Sequence, residues 1–403
     1  MQGSYLLLSL LEWCAQEESR YREAPYTMDI REISLDSLEE EVKSQNVLLP
    51  IEQSAIWAKY QATISGRTPW GALAASVDGS DVAVCSFLDF QTHGYHYLNA
   101  VHGPIWFHEP TEEEEDELAQ ALADYLHKHD RRQVFIRMAL VHDIAESHPA
   151  LSTVPYDHTV IIDVTGGDDA ILSRMKPRGR RDVRKALRES PAVCADETEA
   201  ATKSFQDYYD VMVETGKRDG FVPAPISDYE DMIRLLGPEH CRVYAGRVSG
   251  KVATWSIVTI SGKRAVRYYG ASLNEYMRQH VTDKLVYFEC CDLAKNKGIE
   301  SYDMMGIGSD FAPSLLGLNE FKCKFTKETA EVAPSRDIPV RRGFYALLVK
   351  ARDVVVARRK RAEDEAERKH RAELERAHAE KAKHESEKLA EADAEKKTEE
   401  SGN

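Results

Sequence analysis

With 403 residues, 42% of them hydrophobic and 30% charged, the chain can bury at least one full core and, at ~100 to 200 residues per domain, has room for two. A formal net charge of −15 argues against a protein that coats DNA, because non-specific nucleic-acid binding relies on basic surface that displaces counterions. Seven scattered cysteines (Cys14, Cys85, Cys194, Cys241, Cys290, Cys291 and Cys323) without a CxxC spacing read as reduced cytosolic thiols and supply no zinc framework.

The apolar run from Leu6 to Leu11 is far shorter than the ~20 residues that span a bilayer. It also lacks the basic flank and cleavage site of a signal peptide. Residues 1–27 are therefore read as an extension, or an upstream start, ahead of a domain that opens at "MDIREISLDSLEEEV". Strand-like runs ("GALAASV", "VAVCSFLDF", "YHYLNAV") then lead into "TEEEEDELAQALADYLHKH". There Thr111 and Glu114 form a capping-box pattern, and Leu118, Ala121, Leu122, Tyr125 and Leu126 keep the period of a helix. "QVFIRMAL" reads as the buried strand after it.

A second unit, 155–330, follows the same order at greater length. "HTVIIDV" is a strand, two helices follow, and "CRVYAGRV", "VATWSIVTI" and "RAVRYYGAS" read as successive antiparallel strands. "HVTDKLVYFECCDLAKNKG" is predicted helical up to Gly298, with "SYDMMGI" as the next strand. Strands, a late central helix and a further strand outline a GNAT-type acyltransferase module, here twice, so the expected fold is mixed α/β with two GNAT-like domains in tandem. After Arg358 only Leu374 and Leu389 are large and apolar, too few for a coiled-coil seam. The tail, 352–403, is read as a solvated, charge-striped helix or disorder, with a partner-contacting arm as the alternative.

"RMKPRGRRDVRKAL", residues 174–187, concentrates basic side chains around Asp182, the only acid between Arg174 and Arg188. Pro177 marks the end of one helix and the start of another. In the second helix Val183, Ala186 and Leu187 are expected on the buried face and Arg181, Arg184, Lys185 and Arg188 on the exposed one. Such a run is either a solvated face or, beside a helix N-terminus, a site for phosphate or a nucleic-acid backbone. A CoA-dependent GNAT enzyme would need a glycine-rich pyrophosphate loop before the late helix, and "RQHVTDKLV" contains no glycine.

Seven short motifs, in order, resemble the FemABX family of peptidoglycan-precursor aminoacyltransferases over roughly residues 28–340. They are "QSAIWAKYQ", "HGPIW", "MKPRGRRDVRKAL", "GKRDGF", "RYYGAS", "YDMMGI" and "NEFKCKF". The resemblance implies two GNAT-like domains, the first spanning 28–154 and completed by the chain returning at about 331–350, around a cleft for two substrates. It implies transfer of an amino acid from aminoacyl-tRNA to the stem-peptide side-chain amine of lipid II or its nucleotide precursor, with no metal, CoA or other cofactor. The chemistry is aminolysis of an ester, which needs an oriented amine, a proton acceptor and a stabilised oxyanion.

Carried over by motif, Lys322 is the candidate that stabilises the oxyanion or meets the tRNA's terminal phosphate. Lys324, two residues on, is expected on the same face of a strand. Asp303 is a candidate proton acceptor or, equally in keeping with an acid before a strand-end glycine, a cap for backbone N–H groups. Arg218 is expected to hold the precursor diphosphate through its guanidinium fork. Tyr269, with Tyr268 as second choice, lines the precursor pocket, and Gln53 and Trp57 shape the cleft from the first domain. Arg178, Arg181, Arg184 and Lys185 are candidates for tRNA or phosphate binding. Two positions depart from the family: Gln61 stands where many members place a phosphate-reaching lysine, and Ile105, Trp106 and Phe107 follow Gly-Pro where members often carry an acid. His102 or His108 could compensate for the second.

The resulting expectation is a cytoplasmic aminoacyltransferase that builds a peptidoglycan interpeptide bridge, peripheral at the inner membrane face. Its expected partners are aminoacyl-tRNA, the precursor and other bridge-forming transferases, and not DNA. The alternatives are acyl transfer to a phospholipid or another polysaccharide precursor, a CoA-dependent GNAT enzyme, and a non-catalytic cell-wall scaffold of the same fold.

Overall fold

Each of two sheets is built the same way: an antiparallel meander, a long helix, and one strand added in parallel. The computed structural model describes residues 27–151 and 155–358, with scattered positions as far as 375. The apolar run near the N-terminus, Cys14 and most of the expected tail lie outside the described residues.

The first sheet starts with β1 (Asp29–Ile33), followed by helix α1 (Leu35–Ser44), a 3-10 turn at Ile51–Gln53 and helix α2 (Ala55–Gln61). Ser54 caps α2, its hydroxyl accepting the Trp57 N–H. Strands β2 (Arg67–Val77), β3 (Ser80–Thr92) and β4 (Tyr95–Ala100) form the meander, and the short β5 (Ile105–Trp106) pairs with β3. Helix α3 (Glu112–His129) carries the chain over to β6 (Gln133–Ala139), which joins β4 in parallel, a pairing that needs such a crossover. The capping box is present: the Thr111 hydroxyl accepts the Glu114 N–H, and the Glu114 carboxylate accepts the Thr111 N–H. β7 (His148–Pro149) lies at the edge.

The second sheet opens with β8 (His158–Asp163), helices α4 (Asp168–Arg174) and α5 (Pro177–Glu189), and β9 (Val193–Asp196). Helices α6 (Thr198–Lys203), α7 (Gln206–Asp219) and α8 (Ile226–His240) precede the meander β10 (Cys241–Val248), β11 (Lys251–Ser261) and β12 (Arg264–Ser272). Helix α9 (Val281–Lys297) ends at Gly298 with φ +66, and β13 (Ser301–Gly306) adds parallel to β12. After the short helix α10 (Asn319–Lys322) and β14 (Ala330–Glu331), the chain returns as β15 (Ser335–Pro339) between β6 and β7 of the first sheet. Asp337 on β15 takes the Arg137 guanidinium in a fully buried bidentate pair at 2.6 and 2.9 Å.

Several core clusters follow from the amphipathic faces. Leu118, Leu122 and Leu126 of α3 bury against the first sheet, and Leu285, Val286 and Leu293 of α9 against the second. A third cluster joins Ile51, Trp57, Tyr60 and Leu88 to Phe205, Tyr208 and Trp255, so side chains from both sheets share one interior. Burial of each of these large side chains contributes ~1.5–3 kcal/mol. The chain from Gly343 onward belongs to a separate unit, and among the described residues it is helical up to 358. Among the described residues no helix is long and apolar enough to cross a membrane, the cysteines are unpaired thiols, and no group of His, Cys, Asp and Glu is assembled for a metal.

Candidate active site

β12 and β13 pair over Arg264–Val266 and Ser301–Asp303, and the pairing stops there, leaving the rest of β12 without β13 beside it. Both strands are irregular at this point. β12 bulges against β11 between its pairs Tyr269–Ile257 and Arg267–Val258. Tyr268 and Tyr269 therefore both pack on the shared core instead of alternating. β13 slips against β8 between Asp303 and Gly306, where Met305 has φ +62.

Lys322 fills this irregularity. Its ammonium donates to the carbonyls of Met305 at 3.3 Å and Gly306 at 2.8 Å. Burial and the nearby Arg267 guanidinium push the group down to about 8, against the pull of Asp303. Asp303 caps as well as pairs: one carboxylate oxygen accepts the Thr159 hydroxyl at 2.5 Å and the Met305 N–H at 2.7 Å, while the other takes the Arg264 guanidinium. With both oxygens committed to these partners, Asp303 is a poor starting point for a mobile proton acceptor.

Lys322 lies on a helix and not on a strand, so Lys324 does not share its direction. Phe321 and Phe325, four residues apart, pack together with rings 5.4 Å from one another, the spacing of a helical turn. Lys324 turns away to Asp283 at 2.5 Å and Asp182 at 3.6 Å. Its ion partner Asp283 stands at the third position of α9, where it also receives His280 Nδ1 at 2.8 Å.

Next to the gap stands an aromatic wall. Trp57 is buried, with its ring 5.2 Å from those of both Tyr60 and Tyr268, and Tyr269 meets Tyr229 at 5.0 Å. Burial pushes the phenols of Tyr268 and Tyr269 up, with the Arg67 guanidinium opposing the shift at Tyr269. Arg67 in turn donates to the Gln61 side-chain oxygen at 2.6 Å and lies over the Phe90 ring. Gln53 stands behind the wall, fully buried: its amide donates to the Val101 carbonyl at 2.9 Å and accepts the Ser86 N–H at 2.8 Å. A Cβ on Gly103 would overlap it, so this loop needs glycine to approach. Arg218 is engaged at the far end of β12, donating to the Ser272 carbonyl at 2.9 Å and to Asp219 at 2.7 and 2.8 Å.

The basic helix α5 begins after Pro177 as expected, with Val183 and Ala186 buried and Arg181, Arg184, Lys185 and Arg188 exposed. Leu187, expected on the buried face, is 47% exposed, because the packed stripe runs through Gly179, Asp182, Val183 and Ala186. The charge is also less unopposed than the local sequence implies. Arg178 pairs with Glu320 at 2.6 Å, and Lys185 approaches Glu189 at 3.9 Å. Since Glu320 sits on α10, the start of α5 abuts the helix that carries Lys322. A Cβ on Gly179 would come 2.1 Å from the Lys324 carbonyl oxygen, which is why the motif reads PRGRR.

Beside Asp303 opens a cleft of about 270 Å³ lined by both sheets. Pro50, Ile51 and Val266 give it apolar walls, while Glu52, His102, Tyr156, Thr259 and Arg264 bring polar groups. His102 thus reaches the cleft, whereas His108 is engaged with Glu114 at 2.8 Å.

No curated protein matches the sequence. Residues 177–322 match the family model for the acetyltransferase (GNAT) domain, an interval that begins with α5 and ends on Lys322. Among solved structures, FemX is 16% identical and superposes with a TM-score of 0.62, covering 79% of this chain and 99% of its own. The fold is that of FemX. A tandem GNAT protein from the clavulanic acid biosynthesis pathway is 9% identical with a TM-score of 0.48, covering 78% and 98% of the respective chains.

Against the FemX-like frame, the sequence-predicted residues fall into groups. Asp303 and Lys322 meet around β13, and Trp57, Tyr268 and Tyr269 form the adjacent wall. Gln53 and Gln61 support this region from behind, Arg218 braces the end of β12, and Arg181, Arg184 and Lys185 face solvent. Sequence reasoning missed Glu52, Arg67, Tyr156 and Arg264. Glu52 directly precedes the motif glutamine, so adjacency was the available signal. The other three are gathered by chain crossings that no local spacing reveals.

Proposed function

We propose that the protein transfers an amino acid from aminoacyl-tRNA to the side-chain amine of a peptidoglycan stem peptide, with residues 28–154 plus the return strand and 155–330 as its two GNAT-like domains. The observation that carries the reading is the half-buried ammonium of Lys322, fixed on two carbonyls beside the cleft of a FemX-like acyltransferase fold. A charge fixed before the reaction begins can stabilise the oxyanion of ester aminolysis without reorganisation. A donor other than CoA is supported by α9: its N-terminus, where a CoA pyrophosphate would need open N–H groups, carries the Asp283 carboxylate paired with Lys324. A diphosphate there would have to displace the Asp283 carboxylate from this ion pair.

On this reading Arg67, tied to Gln61 and beside Tyr269, supplies the cation that Gln61 lacks, and holds a precursor phosphate together with Arg218. The exposed cations of α5 steer the tRNA backbone toward α10. The work takes place at the cytoplasmic membrane face, where lipid II is presented. Label from a pool of charged tRNA should move to lipid II, and ribonuclease treatment of the pool should abolish it. Label that moved after ribonuclease would refute the donor.

A further inference from the structure

The cleft beside Asp303 contains a carboxylate that the fold leaves unused. Glu52 is only 6% exposed, yet among the described residues it makes no hydrogen bond and no ion pair. Its side chain lines the open cleft, where a group from outside the chain can meet the carboxylate. Its surroundings indicate which group. Tyr156 and Tyr268 are both close enough for the Glu52 charge to push their phenols up. The remaining walls are largely apolar, from Leu48, Leu49, Ile51 and Val266. Glu115 and Asp303, the other acids of the lining, are already bonded within the chain, so aromatic rings and the one uncommitted carboxylate beside apolar walls match a cation on a flexible aliphatic stem.

We propose that Glu52 binds the acceptor's primary ammonium and takes its proton. This rests on the aminoacyl-transfer reading, and it fills the place left by Ile105, Trp106 and Phe107, where an acid after Gly-Pro is absent. Asp303 is committed to Thr159, Met305 and Arg264, whereas Glu52 is not. Glu52, Tyr156 and Asp303 line the cleft together, and Asp303 is near enough to Lys322 to act on its ammonium. In the reaction Glu52 removes one proton from the ammonium, and the freed nitrogen attacks the ester carbonyl carbon, whose oxygen Lys322 stabilises. The C–N bond forms, the bond to the ribose oxygen breaks, a second nitrogen proton leaves with that oxygen, and the proton on Glu52 passes to water. Trp106 Nε1, Thr259 Oγ and Arg264 Nε, which have no hydrogen-bond partner among the described residues, line the same cleft and can orient the amide groups of the peptide that carries the amine.

The test uses two stem-peptide precursors, one with lysine and one with norleucine at the third position, and the full chain as wild type, E52Q and E52A. Wild type should bind the lysine form about ten- to a hundredfold more tightly than the norleucine form, and both variants should lose that preference while staying folded. The kcat of E52Q should fall by about 10²- to 10⁴-fold with tRNA affinity unchanged. A preference for lysine that survives in both variants overturns the proposal alone. Wild type that binds neither precursor overturns the acceptor reading and this proposal with it.

Discussion

Lys322 is held by two carbonyls, half-buried, and pushed down to about 8, and these three properties decide what it can do. Replacing it with methionine keeps the stem and removes the charge, so transfer should fall by about 10²- to 10³-fold with folding retained, as measured by single-turnover kinetics. The pH dependence distinguishes its roles. With the ammonium pushed down to about 8, an electrostatic role predicts transfer that declines as pH rises through that value, while a role as general base predicts the opposite. The same shift has a stability consequence. Between about 8 and the ordinary lysine value of 10.5 the unfolded chain binds more protons than the folded one, so stability rises with pH across that window and K322M should flatten the rise in urea titrations. The motif "NEFKCKF" made the residue legible, but its alternating pattern suggested a strand. The i,i+4 contact of Phe321 with Phe325 decides for a helix, and with it sends Lys322 and Lys324 to different partners.

At the scale of elements, α5 and α10 depend on close approach. Gly179→Ala puts a methyl group against the Lys324 carbonyl and should cost about 1–3 kcal/mol in chemical denaturation, through displacement of α5 from the Lys322 segment. If the variant retained wild-type stability, the contact would not be what fixes this corner. The exposed cations make a separate prediction. R181E with R184E should weaken tRNA binding and lower the slope of log K against log salt by about two, with little effect on stability. An unchanged slope would leave α5 as a solvated face. The start of α5 was legible from Pro177 and its basic stripe from periodicity. The Arg178–Glu320 pair was not, because its partners are distant in sequence and meet only when β13 and α10 pack beside α5. Leu187 was misread for a related reason: the helix buries a stripe centred on Gly179 and Asp182, residues whose burial reflects a neighbour's backbone and a Lys324 ion pair and not their hydrophobicity.

For the whole molecule, the order of strands and the late helix of each sheet were readable from hydrophobic period and helix caps, and the return of β15 to the first sheet was implied only by resemblance. Its physical anchor is the buried Arg137–Asp337 pair, which also takes the Leu151 N–H at 3.0 Å. Asp337→Ala leaves a buried guanidinium uncompensated, so it should cost about 3–5 kcal/mol in urea unfolding; a surface-like loss below about 1 kcal/mol would show that β15 is held by its ladder alone. The cleft and the carboxylate in it exist only because the two sheets share a core, and for that reason neither was visible in any local motif. Donor and acceptor are tested together by mass spectrometry of the stem peptide after incubation with lipid II, a charged tRNA pool and acetyl-CoA in one reaction. An aminoacyltransferase yields a stem peptide heavier by one amino-acid residue. A peptide that gains an acetyl group, or no mass at all from active and folded protein, would contradict that activity.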